Sequence, residues 1–440
     1  MNVLDELNEP SEPSEPNNRV RWLGAVLILV ALAALIWQAL LAGQGDELPP
    51  VEPVIAESAP SRLSLGEMLA SADTSRFSAQ AASAAAAAAL AASAAIPPNE
   101  AEICGVGRVK ADDSGAPLKL DAIQQAAQQA RERLLPVLAN DADETARALG
   151  LFLQSTGSPK VADAAVPASA SARDSLARMA VATRSPQTYA LALRACQGQR
   201  GAGACQMLSA EQWVQLDPGN AMLWLQVATD AQVRGDAAAV AEALYRASNA
   251  TTADLYLGSV ASMALAKLPT DARLPERGAL AAELLAIQAN GVTPHLVASQ
   301  YCSVTAVHDS NRQQVCASLA EVLARKGGTL TDAGLSATIG QRVGWPAERV
   351  AAARDEVSAM SQLQKQSVPA PNSAWSCASL VQMVNQIAQV GQGGELNTMR
   401  NALKRSADDA ATLAKRYRDA EARRATQAAS PASGASSAPP

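Results

Sequence analysis

A stretch of twenty residues without a charged side chain lies near the start of the chain and constrains everything that follows it. Residues 22–41 read WLGAVLILVALAALIWQALL. At about 1.5 Å per residue, a helix of this length spans about 30 Å, which is the thickness of the hydrocarbon core of a bilayer. We therefore predict one transmembrane helix over residues 22–41, so that the chain is an integral membrane protein with a single span.

The charges on either side of this stretch predict its orientation. Arg19 and Arg21 precede it, and Asp46 and Glu47 follow it. Because basic residues concentrate on the cytoplasmic side, we expect the N-terminus in the cytoplasm and the rest of the chain beyond the membrane. A cleaved signal peptide is the alternative, but its apolar region is usually shorter, and the exit sequence ALLAGQG at residues 39–45 lacks an Ala-x-Ala site.

Composition divides the chain into parts with different prospects of folding. We predict a short disordered cytoplasmic tail at residues 1–21, a Pro/Ala-rich periplasmic linker at residues 42–100 and a disordered tail at residues 426–440. Residues 101–425 are rich in alanine and poor in Val, Ile, Phe and Tyr. That composition favours helices and leaves little with which to build sheets. We predict an all-α domain of antiparallel helix pairs.

The charge balance gives no sign of a nucleic-acid partner. The chain has 36 basic and 42 acidic residues, a net charge of −6. The first 41 residues hold two of the bases and five of the acids, so 34 bases and 37 acids remain beyond them. A nucleic-acid-binding domain usually carries a basic surface, and we therefore expect no nucleic acid among the partners.

The six cysteines all lie beyond the predicted membrane helix: Cys104, Cys196, Cys205, Cys302, Cys316 and Cys377. An even number on the oxidising side of a membrane favours disulfides. Fifteen pairings are possible in principle for six cysteines. The cysteines at 196 and 205 are close in sequence, as are those at 302 and 316, which would leave the first and last to join the two ends of the domain.

A metal site is the competing interpretation of two of these cysteines. His295, Cys302, His308 and Cys316 lie within 22 residues. Their spacings do not match those of known zinc sites, and an oxidising compartment favours the disulfide. We therefore expect no metal and no other cofactor.

One segment, residues 221–254, has the pattern of a paired-helix unit. It follows the turn sequence LDPGN at residues 216–220 and reads AMLWLQVATDAQVRGDAAAVAEALYRASNATTAD. Apolar residues recur at i, i+3, i+4 and i+7 in both halves, which predicts two amphipathic helices. The positions expected to pack the pair together are Trp224, Ala228, Gly235, Leu244 and Ala247.

This unit resembles a tetratricopeptide repeat (TPR). Trp224 falls on the family's tryptophan, Ala228 on its first small packing position and Gly235 on the turn between the helices. Leu244 and Ala247 fall on the aromatic position and on the final alanine. The resemblance implies a degenerate, TPR-like α-solenoid, and such superhelices bind extended peptides or partner helices in a concave groove.

The match has limits within this sequence. Val240 replaces the family's central alanine, and no Asp-Pro follows Asn249. A solenoid needs about three units to bury its faces, so the neighbouring helix pairs would be degenerate copies. A plain helical hairpin that shares the motif by chance is the alternative interpretation.

The sequence contains no recognisable catalytic signature, so no catalytic residue is predicted. The consecutive residues His308, Asp309 and Ser310 cannot form a triad with one another, and Asp309 or Ser310 is expected to cap the next helix. The glycine clusters at 105–107 and 391–394 are typical of turns and not of nucleotide loops.

We expect a protein–protein interaction scaffold in the bacterial cell envelope with an unknown protein partner. The alternative is a cell-wall-directed envelope enzyme whose site is not recognisable from sequence.

The end of the domain is predicted as one long helix, residues 395–422. Its apolar residues follow a heptad pattern that Ser406 interrupts, and basic residues occupy its other positions. Packing on its own domain is the simplest outcome for a helix of this length. A coiled coil with another helix and contact with anionic lipid headgroups are the alternatives.

Overall fold

The computed structural model of the chain describes residues 96–156, 165–199, 201–289 and 294–429. These residues form sixteen α-helices and one two-stranded hairpin, which confirms the all-α prediction. The predicted membrane helix at 22–41 and the tail at 1–21 lie outside the described residues, as does most of the 42–100 segment. Among the helices that are described, none is both long enough and apolar enough to cross a membrane.

The helices are numbered here in chain order. They are α1 (Asp121–Ala139), α2 (Glu144–Ser155), α3 (Ala165–Ala182), α4 (Pro186–Ala195), α5 (Ala210–Leu216), α6 (Ala221–Val233), α7 (Ala237–Ser248), α8 (Val260–Lys267), α9 (Leu274–Ala289), α10 (His295–Tyr301), α11 (Ser310–Lys326), α12 (Leu330–Arg342), α13 (Ala347–Gln366), α14 (Cys377–Gly393), α15 (Glu395–Arg405) and α16 (Ala410–Ala429). Short 3-10 turns lie at Gly203–Met207, Ala306–His308 and Pro371–Ser373.

A small antiparallel hairpin precedes the helices. Strand β1 (Glu100–Ile103) pairs with β2 (Gly107–Lys110). Gly105 and Gly107 have φ angles of 81° and 96°, which only glycine adopts without strain, and they allow the tight turn. The glycines at 105–107 predicted a turn here, but the strands were not predicted, because four residues are too few to show an alternating pattern.

Three disulfides close the fold. Cys196 bonds to Cys205, Cys302 to Cys316, and Cys104 to Cys377. This is the pairing that sequence proximity favoured. The third disulfide spans 273 residues and ties the N-terminal hairpin to the start of α14. The backbone N–H of Cys104 also donates to the carbonyl of Trp375 at 2.8 Å, so the hairpin is held by more than the sulfur bridge.

Helices that are neighbours in sequence pack in succession, and the chain then folds back on itself. Pairs such as α6 with α7, α11 with α12 and α12 with α13 follow the solenoid pattern. However, α1 packs on α9, and α14 packs on both α8 and α9. The guanidinium of Arg131 on α1 holds the carboxylate of Glu283 on α9 through two hydrogen bonds. Such contacts between distant helices are absent from a simple solenoid, where each repeat touches only its neighbours.

The core is built largely from alanine and leucine, so helices approach one another closely. Where α9 crosses α14, a Cβ added to Gly278 would lie 2.7 Å from a methyl carbon of Leu380. One large cluster of buried side chains joins the hairpin, α1–α12 and α14, and two small clusters lie among α12, α13, α15 and α16. The last helices therefore depend on a much smaller apolar core than the rest.

The predicted single helix at 395–422 is wrong, because the structure contains two helices there. α15 ends at Arg405, and Asp409 caps the next helix by accepting a hydrogen bond from the Thr412 amide at 2.8 Å. α16 then packs on α13 in the same domain. It extends to Ala429, four residues into the segment predicted as a disordered tail from residue 426.

The basic residues of α16 are largely neutralised within the domain. Arg416 pairs with Asp408 at 2.5 Å, and Lys415 pairs with Asp419 at 2.7 Å. The guanidinium of Arg418 binds the carboxylate of Asp355 on α13. These pairs leave less positive charge for anionic headgroups than the sequence pattern indicated.

Candidate functional site

A large cleft opens in the centre of the domain, with a volume of about 1290 Å³. Residues of α4–α6 and α8–α15 line it, together with the non-helical segments 251–259 and 327–329. Its walls therefore come from parts of the chain that are more than 200 residues apart, between Ala190 and Arg400. The fold-back of α14 onto α8 and α9 brings these segments to one place.

The buried side chain of Asn220 fixes one wall of the cleft. It is the N-cap of α6, where its Oδ1 accepts from the Met222 amide at 3.2 Å and from the Asp254 amide at 3.0 Å. Its Nδ2 donates to the Asp254 carbonyl at 2.8 Å. A buried amide with all these bonds made is a strong positional constraint. Asn220 thereby holds the extended segment around Asp254 against the start of α6.

Tyr256 holds the same segment from the other side. Its φ of 62° lies in the left-handed region, where a bulky residue is strained and must be held by its surroundings. The hydroxyl of Tyr256 donates to the carboxylate of Asp217. Burial, followed by this bond to Asp217, raises the pKa of the Tyr256 hydroxyl. Hydrogen bonds of Asn220 and of Tyr256 therefore hold the wall segment around Asp254 in place.

Three titratable side chains that line the cleft, His295, Asp332 and Glu395, are called the cleft floor here. Asp332 interacts with both of the others. Its Oδ2 accepts from the amides of Gly328 and Thr329, both at 2.9 Å, and its own amide donates to the Thr329 hydroxyl at 3.2 Å. This is a capping box at the start of α12. Its Oδ1 lies 2.5 Å from Nε2 of His295, the first residue of α10. Asp332 is only 2% exposed, so these partners take up its hydrogen-bonding capacity.

Glu395 is the titratable group of the floor with the largest perturbation. It begins α15 directly after Gly394, and the Leu330 amide donates a hydrogen bond to its side chain. Burial raises the pKa of the Glu395 carboxyl to about 7, the negative charge of Asp332 adds to the rise, and the bond from Leu330 opposes it. Near neutral pH this group can therefore give or accept a proton.

The floor cluster has acid–base chemistry available but no assembled catalytic set. His295 is buried at 8% exposure and bonds to Asp332, and its Nδ1 has no hydrogen-bond partner among the described residues. A general base needs to reach its substrate, and here both members of the His295–Asp332 pair are buried and Asp332 serves as a helix cap. Glu395 is the member of the cluster that is partly exposed.

The four residues of the alternative metal site, His295, Cys302, His308 and Cys316, do not form one site in the described structure. Cys302 and Cys316 bond to each other, so neither is a metal ligand. His308 is exposed, with its Nδ1 3.1 Å from the Thr305 carbonyl oxygen, whereas His295 lies in the cleft floor. Asp309 caps α11 by accepting from the Arg312 amide at 2.9 Å, as expected.

The five residues of the repeat-like unit serve packing and turn roles, and none of them lines the cleft. Ala228, Leu244 and Ala247 are buried in the core. Gly235 has a φ of 74° in the turn between α6 and α7. Trp224 is half-buried, and its indole N–H donates to the Pro218 carbonyl at 2.8 Å. The cleft-lining side of α6 consists of other residues: Met222, Gln226, Thr229 and Asp230.

Sequence reasoning missed three residues that shape the cleft: Asn220, Asp332 and Glu395. A signal existed for Asp332, because Thr-x-x-Asp at 329–332 is a capping-box pattern that marks the start of a helix. The segment that follows, α12, was not predicted as a helix. For Glu395 no signal existed, since its pKa is raised chiefly by burial in the folded domain and further by Asp332, which is 63 residues away in sequence.

Comparison of the chain with models of known protein families, with curated proteins and with solved structures gives no match.

Proposed function

We propose that this chain is a single-pass protein of the bacterial inner membrane, with its N-terminus in the cytoplasm and its helical domain in the periplasm. The apolar stretch 22–41 and the arginines before it support the anchor and its direction. Three disulfides in the helical domain support an oxidising compartment, because such bonds are rare in cytosolic proteins.

A pair of reporter fusions at residue 62 tests this topology. Alkaline phosphatase fused there is expected to be active, since that enzyme needs an oxidising compartment to form its own disulfides. A reporter that works only in the cytosol is expected to be silent at the same position. The reverse result would overturn the topology.

We infer that the helical domain is a TPR-like protein–protein interaction scaffold that holds a segment of another protein in its central cleft. The size of the cleft carries this proposal. At about 1290 Å³ it exceeds the roughly 300–1,000 Å³ of ordinary small-molecule pockets. The first helix of the TPR-like unit contributes to its lining, as the concave groove of that family would lead one to expect.

Site-directed photocrosslinking in cells tests the scaffold proposal. A crosslinking residue replaces Thr229, which lines the cleft, and in a control strain it replaces the exposed Ala238 on the neighbouring helix α7. A defined crosslinked product is expected from position 229 and not from position 238. Identical products at both positions, or no product in any growth condition, would contradict the proposal.

A second candidate function, a cell-wall-directed enzyme, is favoured by the Glu395 carboxyl in the cleft floor. A carboxyl with a pKa of about 7 is suited to general acid–base catalysis. Purified cell-wall polymer incubated with the full chain tests it. Release of soluble fragments by the wild type and none by Glu395→Gln would support an enzyme, and no release by the wild type would exclude one on this substrate.

A further inference from the structure

Side-chain amides are the most prominent polar groups of the cleft. Six carboxamides line it: Gln197, Gln226, Gln288, Gln364, Gln386 and Asn397. A carboxamide carries both a hydrogen-bond acceptor and two donors, so it matches the C=O and N–H groups of a peptide bond in either direction. These residues come from α6, α9, α13, α14 and α15, and from the turn after α4, so they surround the cleft.

Several of these amides have unused hydrogen-bonding capacity within the described part of the chain. Gln226 donates from its Nε2 to Asp230 at 3.0 Å, which leaves its carbonyl oxygen available. Gln288 likewise donates to a backbone carbonyl and keeps its oxygen. Among the described residues, the Nε2 of Gln364 has the sulfur of Met399 as its partner, at 3.8 Å. A ligand can therefore bond to these groups without displacing strong internal bonds.

The rest of the lining argues against charged and aromatic ligands. Four acidic and four basic side chains line the cleft, so formal charges cancel: Asp230, Asp254, Asp332 and Glu395 against Arg194, Arg325, Lys326 and Arg400. Apart from His295, the described lining residues include one aromatic side chain, that of Trp213, and only 4% of its surface is exposed. Small-molecule sites usually present aromatic faces, on which sugar rings also stack, and the described lining of this cleft presents almost none.

We propose that the cleft binds the main chain of an extended polypeptide segment through these carboxamides and selects weakly among its side chains. The inference rests on the proposed scaffold function and adds the class of ligand. An extended segment exposes its peptide groups, whereas a helix has already paired them internally. The carboxamides therefore favour an extended ligand over a partner helix.

A synthetic peptide of alternating Thr and Ser, twelve residues long, tests main-chain recognition directly. Its small side chains disfavour helix and offer little apolar surface. We expect saturable binding of the labelled peptide to the full chain in detergent micelles, measured by fluorescence anisotropy. N-methylation of alternate peptide nitrogens removes backbone N–H donors, leaves every side chain unchanged and should abolish binding.

Two glutamines at the end of α13 give a matched pair of variants. Gln364 lines the cleft, and Gln366 on the same helix is exposed outside it. Gln364→Leu should weaken peptide binding about fivefold, the loss of one net hydrogen bond, and Gln366→Leu should leave it unchanged. Circular dichroism of both variants shows whether the fold is retained, and Gln288→Leu serves as a second cleft variant if Gln364→Leu does not fold.

The outcomes separate this inference from the scaffold proposal. If a partner is crosslinked at position 229 in cells but the probe peptide does not bind, or binds equally after N-methylation and in Gln364→Leu, main-chain recognition is refuted and the scaffold stands. If an oligosaccharide from the cell wall binds in the cleft and the peptide does not bind, the ligand class is wrong. If no partner is crosslinked either, the scaffold fails as well.

Discussion

Removal of the Cys104–Cys377 disulfide should destabilise the domain more than removal of either local disulfide. A cross-link stabilises chiefly by reducing the entropy of the unfolded chain, and the effect grows with the loop that it closes. For the 273-residue loop the expected contribution is about 5.5 kcal/mol. For the nine-residue loop between Cys196 and Cys205 it is about 2.5 kcal/mol. The double variants Cys104→Ala/Cys377→Ala and Cys196→Ala/Cys205→Ala should therefore differ by about 3 kcal/mol.

Urea unfolding of the full chain, followed by far-ultraviolet circular dichroism, measures this difference. Cys196 and Cys205 are fully buried, so their replacement also removes packing. That extra loss makes the difference in stability between the two double variants smaller. Hydrogen exchange shows whether the loss is global. Equal destabilisation of both variants would refute the reasoning, as would an unchanged midpoint with lost protection confined to residues 96–119. The second result would mean that the disulfide only holds the hairpin in place.

Three further variants test the cleft floor, the helix contacts and the core. The pKa of Glu395 is raised from 4.5 to about 7, so the folded state favours its protonated form. The stability that this contributes is fully present below pH 4.5, and the free energy of unfolding falls by about 3 kcal/mol as pH rises through 7. Urea titrations at pH 5 and pH 9 measure this loss, which Glu395→Gln should lack. Gly340→Ala places a Cβ 2.3 Å from an indole ring and should cost about 1–3 kcal/mol in thermal unfolding. Gly334→Ala on the same helix, where the nearest atom to the added Cβ is 3.9 Å away in ordinary van der Waals contact, should cost nothing. Leu244→Ala should lower the free energy of unfolding by about 2–5 kcal/mol, and Val233→Ala, at a position 84% exposed, by under about 0.5 kcal/mol.

The sequence predicted the helical class well, because helix formation here depends on local composition and spacing. α6 begins at Ala221, the residue at which the paired-helix unit was predicted to begin. α12 was missed because its two glycines lower its intrinsic propensity. What supports it is tertiary: its capping box and the burial of Ala333, Ala337 and Ile339. The local signal was the cap, and the burial could not be seen from sequence.

The cleft could not be predicted, because it is made by contacts between distant parts of the chain. The wall near Asp254 depends on Asn220, and the floor combines the starts of α10, α12 and α15. A single sequence shows which residues have polar side chains but not which of them converge. His295 entered the sequence analysis only as a possible metal ligand, and its partner Asp332 did not enter it at all.

The bond from Cys104 to Cys377 also sets an order of events while the chain is being made. Cys104 is synthesised 273 residues before its partner, which at about 5–20 residues per second is roughly 15–55 s. Cys196, Cys205, Cys302 and Cys316 all emerge during that interval, so the first thiol meets four wrong partners before the right one exists. Rapid closure of the two short loops, of nine and fourteen residues, removes these competitors. Where that closure is slow, the native bond requires thiol–disulfide exchange to correct an earlier one.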